Sequence, residues 1–253
     1  MNESFHASIP INRRCQILKK DPTGIYAINK PEGIQTHPNN EKSKVQNNKT
    51  LLNADYSFNE ECYQWENEKK EKQKIYLTHR LDAPTSGVII IVDNMEFSSK
   101  IKQMFRERKI KKSYYALVKL NNRIKPGIWK DNLKEVKNNG RIRVRRGNGN
   151  PAITQVSVER QPSGKFGLAM LKMEPLTGRT HQLRVQCALR GMPIIGDKSY
   201  GDFSLNRKIA KISKINRLCL HAGGIEFNIK TKRNDSLFSF ESPLPREFGK
   251  LLI

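Results

Sequence analysis

Residues 87–92 read Gly-Val-Ile-Ile-Ile-Val, a run without a polar side chain in a chain rich in Lys and Arg. β-Branched residues lose rotamer freedom in a helix and pack well on a pleated surface, so the run predicts a buried strand. The residues just before it are of another kind. Leu77 to Ser86 read LTHRLDAPTS, and the Pro-Thr-Ser-Gly step into the run is turn chemistry. Asp82 therefore belongs on a loop at a sheet edge. It is a single acid in the company of Thr78, His79, Arg80, Thr85 and Ser86, and its role needs explaining.

The explanation has to fit a strongly basic chain. The 253 residues carry 47 Lys+Arg against 24 Asp+Glu, a formal net charge of +23. Such a surplus calls for a polyanionic partner, nucleic acid first and an anionic membrane surface second. No apolar segment reaches the length needed to cross a bilayer. The first 30 residues lack the apolar stretch of a secretory signal, and no basic amphipathic helix offers a surface anchor. RNA or DNA is the expected partner, and a membrane is not. Apolar residues make up 36% of the chain, enough for a core and too many for a disordered polyelectrolyte. Cys15, Cys62, Cys187 and Cys219 form no C-x-x-C pair and have no His at finger spacing. No metal site is expected, and reduced thiols in a cytoplasmic setting are.

Along the chain, residues 1–15 are a polar N-terminal segment. CQILKKDPTGIYAINKPEG holds two short strands turning at Asp21-Pro22-Thr23-Gly24. From Pro38 to about Lys74 the composition shifts to Asn, Lys and Glu, which predicts a partly disordered surface insertion whose one helix start is Thr50 to Tyr56. KIYLTH and GVIIIVDN read as strands. MEFSSKIKQMFRERK carries apolar residues at 97, 101, 104 and 105, the spacing of a helix. KKSYYALVKL, AITQVSVER and GLAMLKMEPL are strands, GRIRVRRGNGN a basic hairpin tip, and THQLRVQCALRG a helix closed by Gly191. LCLHAGGIEFNI and LFSFESPL close the chain as strands, and no internal repeat is present. Strands outnumber helices without regular alternation. The expected class is α+β, a mixed, mainly antiparallel central sheet flanked by helices and loops, in one domain from 16 to 253.

For an arbitrary Asp in a turn, capping the turn or pairing with a neighbouring Arg is the commoner role. A second polar cluster lies in LTGRTHQLRVQCALRGMPIIGDKSYG, Leu176 to Gly201. On a helix Arg179 and Arg184 would point about 140° apart and so would not serve the same contact. A solvated basic helix face is the plain reading, and the alternative is that one reaches the Asp82 loop and another binds phosphate. His79 and His181 lack a third ligand at motif spacing, which argues against a metal. Ser86, His181 and Asp82 form a triad on paper only, because the strand, G-x-S-x-G and helix context is missing.

HRLDAPTSGVIII and GRTHQLRVQCALRGMPIIGD together resemble the signature segments of the RluA-type pseudouridine synthases, which isomerise uridine in structured RNA. Other segments follow in that family's order. DPTGIYAINKPEG resembles its opening strand pair, FRERKIKKSYYALV its helix and tyrosine-bearing strand, PAITQVSV the strand after that, and LCLHAGGIEF with FESPLP its closing strands. The likeness runs from about residue 16 to 248 and is poorest over 38–74.

The resemblance implies an RNA pseudouridine synthase with Asp82 as its catalytic carboxylate and no cofactor or metal. It makes Arg184 the cation paired with Asp82, Arg80 the residue that helps displace the target uridine, and Tyr114 the aromatic that stacks on the flipped base. Core packing along its strand is the plain alternative for Tyr114. Lys111, Lys112, Arg141, Arg143, Arg145 and Arg179 are candidates for RNA phosphate contacts. Gln186 stands where the family commonly has histidine, which predicts altered local hydrogen bonding. The short segment before the first match leaves no room for an accessory RNA-binding domain, and a monomer is expected. The competing function is a non-catalytic RNA-binding or ribosome-associated protein that keeps the fold. A nucleotide hydrolase would need metal or triad residues that the sequence does not offer.

Overall fold

The computed structural model of the chain describes residues 9–39, 49–120, 126–138, 141–230 and 235–253. The chain falls into two compact units. The first holds residues 1–110 and 228–242, the second 111–227 and 243–253.

The first unit opens with β1 (Gln16–Lys20) and β2 (Ile25–Lys30). β3 (Asp55–Ser57), β4 (Cys62–Glu66), β5 (Lys72–Leu77), β6 (Ser86–Val92) and the helix α1 (Met95–Arg106) follow. The second unit begins with β7 (Lys111–Lys119), β8 (Gly127–Asn138), β9 (Arg141–Arg146), β10 (Asn150–Ser163) and β11 (Leu168–Pro175). The helices α2 (Gln182–Leu189) and α3 (Phe203–Ser213) and the strand β12 (Leu220–Lys230) come next. β13 (Asp235–Glu241) returns to the first unit, and α4 (Arg246–Leu251) ends the chain in the second.

In the first unit the antiparallel order is β3-β4-β5-β6-β2-β1. The apolar run is β6, all of it buried, with β2 paired along Gly87–Val92 and β5 on the other edge at Ile91 and Val92. Burial on both faces and pairing on both edges explain why no polar side chain is tolerated between Gly87 and Val92. α1 packs on β5 and β6. It starts where the Asn94 side chain accepts from the backbone N–H groups of Glu96 and Phe97, satisfying two donors that the first turn would otherwise leave open.

The 38–74 segment departs from its expectation. Residues 40–48 lie outside the described residues, but 49–74 are ordered, with Thr50 to Tyr56 entering β3 rather than a helix. Leu51, Leu52 and Tyr63 are fully buried there. Composition misleads because most of the Lys, Glu and Asn residues over 49–74 lie in the turns at 59–61 and 67–71, while Cys62, Tyr63, Ile75, Tyr76 and Leu77 on the strands are buried.

The second unit orders its strands β12-β7-β11-β10-β8-β9, all antiparallel. Leu117, Leu171, Met173, Leu183, Ile195 and Phe248 belong to its core. The helix expected around residue 184 is α2, with Gly191 at φ 66 just past its Arg190 cap. It begins only at Gln182, so Arg179 lies in the preceding loop and helical phase does not relate it to Arg184.

Gly196 sits at φ 77, and a Cβ there would lie 1.7 Å from the carbonyl oxygen of Arg217. Gly196→Ala therefore combines left-handed strain with a backbone clash. It is expected to cost about 3 kcal/mol and to lower Tm by roughly 6–12 °C, measurable by calorimetry. No helix among the described residues is long and apolar enough to cross a membrane.

Candidate active site

The loop that carries Asp82 is fastened along its length. At its start Thr78 Oγ1 donates to the Ile90 carbonyl at 2.6 Å, and the backbone N–H of Ile90 donates to His79 Nε2 at 2.9 Å. These bonds tie the loop to β6. One residue before Asp82, the Leu81 N–H donates to Thr36 Oγ1 at 3.1 Å, and that hydroxyl donates to the Leu81 carbonyl at 2.9 Å. One residue after it, the Ala83 carbonyl accepts from the Gly33 N–H at 2.7 Å and from Lys30 Nζ at 3.2 Å. Thr85 N–H closes the turn on the Asp82 carbonyl at 2.9 Å.

Lys30 is fully buried. Its ammonium also donates to the carbonyls of Ile34 at 2.8 Å and Pro31 at 3.1 Å. A buried cation is costly unless its donors are met, and three carbonyls meet these. The Asp82 side chain is half-buried on this frame. Arg80 is exposed, its Nη1 3.1 Å from His37 Nε2.

The other two residues assigned by resemblance lie in the second unit. Arg184 is buried on α2 and makes a bidentate pair with Asp197, Nε to Oδ2 at 2.7 Å and Nη2 to Oδ1 at 2.9 Å. Its guanidinium also lies 5.2 Å from the centre of the Tyr200 ring. Asp197 Oδ1 accepts further from the N–H groups of Ser199 and Tyr200. Burial alone would raise the Asp197 carboxyl. The hydrogen bonds and charge of Arg184, with the two backbone donors, outweigh it and hold the group below its ordinary value. Tyr114 is half-buried on β7, opposite Met173 on one side and Ala222 on the other, and packs on the core of its unit. Lys112 shares its face of the strand, two residues away.

Gln186 is fully buried at the centre of a polar network. Its Nε2 donates to Asp131 Oδ2 at 2.9 Å and to the Ala152 carbonyl at 3.2 Å, while its Oε1 accepts from Thr154 Oγ1 at 2.6 Å. Arg190 Nη1 donates to the same Asp131 oxygen at 2.8 Å, and its guanidinium stacks 4.4 Å from the Trp129 ring. The amide thus supplies a donor and an acceptor at once. Gln186→Leu leaves the Thr154 hydroxyl proton without its acceptor and weakens the hold on Asp131. A loss of about 2–3 kcal/mol is expected, seen as a lower urea midpoint at unchanged m-value.

The basic candidates differ among themselves. Lys111 is exposed and already paired with Glu226 at 3.0 Å. Lys112 is half-buried, and burial lowers its pKa to about 8, so it is not the free surface cation that the sequence suggests. Arg143 is exposed on β9 and donates to the Ser199 carbonyl at 3.0 Å. Arg145 is exposed, while the side chain of Arg141 lies outside the described residues. Arg179 donates through Nε to the Pro151 carbonyl at 3.2 Å. It lines a cleft of about 380 Å³ with Lys134, Glu135, Asn150 and Thr180. His181 Nδ1 lies 2.8 Å from the Tyr200 hydroxyl, and Gln182 holds Thr177, Arg179 and Thr154 together at the start of α2. Among the described residues no group of three or more His, Cys, Asp or Glu side chains is set to hold a metal.

Sequence reasoning missed Lys30, Thr36, Asp131 and Asp197. Asp131 had a signal, because Trp129, Asp131 and Leu133 alternate with exposed residues and are all buried.

The family model for RNA pseudouridylate synthase matches residues 24–189. Ribosomal large subunit pseudouridine synthase C of Buchnera aphidicola subsp. Acyrthosiphon pisum is 29% identical over 96% of this chain and 73% of its own length. An uncharacterized RNA pseudouridine synthase of Haemophilus influenzae is 34% identical, covering 79% of this chain and 77% of the relative. tRNA pseudouridine synthase C of Salmonella typhi is 31% identical over 83% and 79%. Among solved structures, human RNA Pseudouridylate Synthase Domain Containing 1 superposes with a TM-score of 0.65 over 90% of this chain and 83% of that one. At 22% identity it shows the fold alone.

Proposed function

The chain belongs to the RNA pseudouridylate synthase family and is an isomerase of RNA uridine, and from that premise we propose that it acts on structured rRNA or tRNA with Asp82 as its catalytic carboxylate. The observation that carries the reading is the bracing of the Asp82 loop. Thr36 holds the residue before the acid, and Lys30 and Gly33 hold the residue after it. Reactive groups work when they are held within a narrow range of geometry, and this frame restricts the backbone on both sides of the carboxylate.

The reaction breaks the bond from the ribose anomeric carbon to N1 of uracil, turns the base, and forms a bond from that carbon to C5. The C5 proton leaves and N1 regains one, so nothing is oxidised or reduced. Ionised Asp82 has three routes through it. It can attack the anomeric carbon, add to C6 of the base, or take the C2′ proton in an elimination that leaves a glycal and returns that proton when the C5 bond forms. Each requires the uridine outside its stack, at a cost of about a few kcal/mol, which favours a loop or a stem end as the target.

In this reading Arg80 helps to displace the uridine and fills its place, and Tyr114 stacks on the extruded base, a contact worth about 1–3 kcal/mol. Arg184 is the cation that the resemblance pairs with the acid. Arg143, Arg145 and Arg179 contribute phosphate contacts. The protein acts as a monomer.

The test is a carbodiimide primer-extension map of rRNA and tRNA from cells lacking the protein, complemented with wild type or Asp82→Asn. A stop that returns only with wild type supports the reading and locates the uridine. Equal rescue by both, with no stop changed, would mean that the fold serves as an RNA binder.

A further inference from the structure

The exposed arginine beside Asp82 does not move freely. Its Nη1 lies 3.1 Å from Nε2 of His37, a residue from the segment that follows β2. The other ring nitrogen of His37, Nδ1, lies 2.6 Å from the Pro38 carbonyl oxygen. A carbonyl only accepts, so the proton of the neutral ring is on Nδ1, and Nε2 is left as a bare acceptor aimed at the guanidinium. Arginine has donors alone, so this tautomer is the one that can hold it.

The ring is itself clamped. It stacks on Tyr56 at 5.1 Å and 12°, and meets the edge of Phe58 at 5.9 Å and 86°. Tyr56 packs in turn on Tyr63, whose hydroxyl donates to the Thr36 carbonyl at 2.8 Å. The strands that composition marks as a loose insertion thus build the wall behind His37. Thr36, next to it in the chain, is the residue that braces the Asp82 loop.

We propose that His37 is a positioning residue whose neutral ring aims Arg80 at the RNA, and that its protonation releases Arg80 and switches the enzyme down in mild acid. The inference rests on the reading of Arg80 as the residue that enters the RNA. A second proton on the ring would put an N–H where the guanidinium now donates, replacing a hydrogen bond with two like charges. The charged groups facing the ring are Arg80 from the Asp82 loop and Glu61 from the β3–β4 turn, and the ring it lies on is that of Tyr56. Burial first, and Arg80 with it, lower the His37 pKa from its ordinary 6.5, against the opposing pull of the Pro38 carbonyl and Glu61. The Tyr56 phenol, pushed up to about 12 by burial, stays neutral throughout.

The experiment measures pseudouridine formation by the whole protein on unmodified transcripts of large-subunit rRNA and of tRNA between pH 5 and 8. It compares wild type, His37→Ala, Arg80→Ala and the double variant. At pH 7.5, His37→Ala is expected to lower kcat/KM about tenfold, the effect of one hydrogen bond to a charged group. It should add nothing in the Arg80→Ala background. Wild type should lose the same factor towards pH 5, and His37→Ala should lack that acid limb. Additive losses in the double variant, or an acid limb that survives in His37→Ala, overturn the proposal.

Nitrogen-detected NMR of the His37 ring in the free protein gives a reading that needs no activity. Expected are a bare Nε2 above pH 6.5 and a titration that moves to higher pH in Arg80→Ala. A proton on Nε2 of the neutral ring, or a titration that Arg80→Ala leaves in place, overturns the proposal. Wild type that makes no pseudouridine at any pH, with the NMR result as expected, would instead sink the assigned reaction and leave the His37–Arg80 pairing standing.

Discussion

Asp82→Asn is expected to abolish pseudouridine formation, a loss of at least about 10⁴-fold in kcat, while RNA Kd changes by less than about threefold. Asn has the size of Asp and keeps the turn, because bonds to the backbone of Leu81, Asp82 and Ala83 hold the loop. What is lost is the negative charge, and each of the three routes open to the carboxylate needs it. Binding survives because affinity for RNA at moderate salt comes mainly from Lys and Arg on phosphate. A chain with 47 of them gives up little when one acid becomes neutral. The two quantities separate cleanly in practice. Release of tritium from RNA labelled at uridine C5 follows the isomerisation, and filter binding at two salt concentrations follows the affinity. Retained tritium release, or a large fall in affinity, would remove Asp82 from the chemistry.

The parts of this fold that the sequence reveals are those in which a single local signal dominates. The β6 run, the strand pair at Asp21–Gly24, and the helix capped by Asn94 each carry their cause in adjacent residues. β4 and β8 do not. CYQWE is only five residues long and lies between charged, Asn-containing turns, while GIWKDNLKEVKN alternates but has outward residues so rich in charge that the average looks like a surface loop. Testing for period two rather than averaging would have found Trp129, Asp131 and Leu133. α3 escaped as well, although Asp202 caps it and Leu205 and Ile209 stand four apart. Around the motif residues, the supporting side chains were not legible. Nothing near Asp82 in sequence announces Lys30 and Thr36, and nothing near Arg184 announces Asp197. Such partners are fixed by tertiary placement, and a buried cation or hydroxyl becomes meaningful only when its acceptors are known.

The second large effect concerns that hidden support. Asp197→Ala is expected to destabilise the protein by about 3–5 kcal/mol, since it takes the bidentate carboxylate away from the buried Arg184 guanidinium. For a chain of this size that is a fall of roughly 6–20 °C in Tm. The acid limb of stability should change with it. Because the folded Asp197 carboxyl lies below its ordinary 3.8, its contribution is complete above that pH and is lost as pH falls through the lower folded value. Asp197→Ala removes this part of the acid transition, which calorimetry between pH 2 and 6 would show as a flatter dependence of Tm on pH. The double variant Arg184→Met/Asp197→Leu then separates packing from chemistry. Replacing both members of a buried pair by apolar side chains is often neutral, so most of the lost stability should return. Activity should not, because a methionine cannot supply the positive charge assigned to Arg184. A double variant that recovered both stability and isomerisation would make the pair a structural element alone and would take Arg184 out of the chemistry.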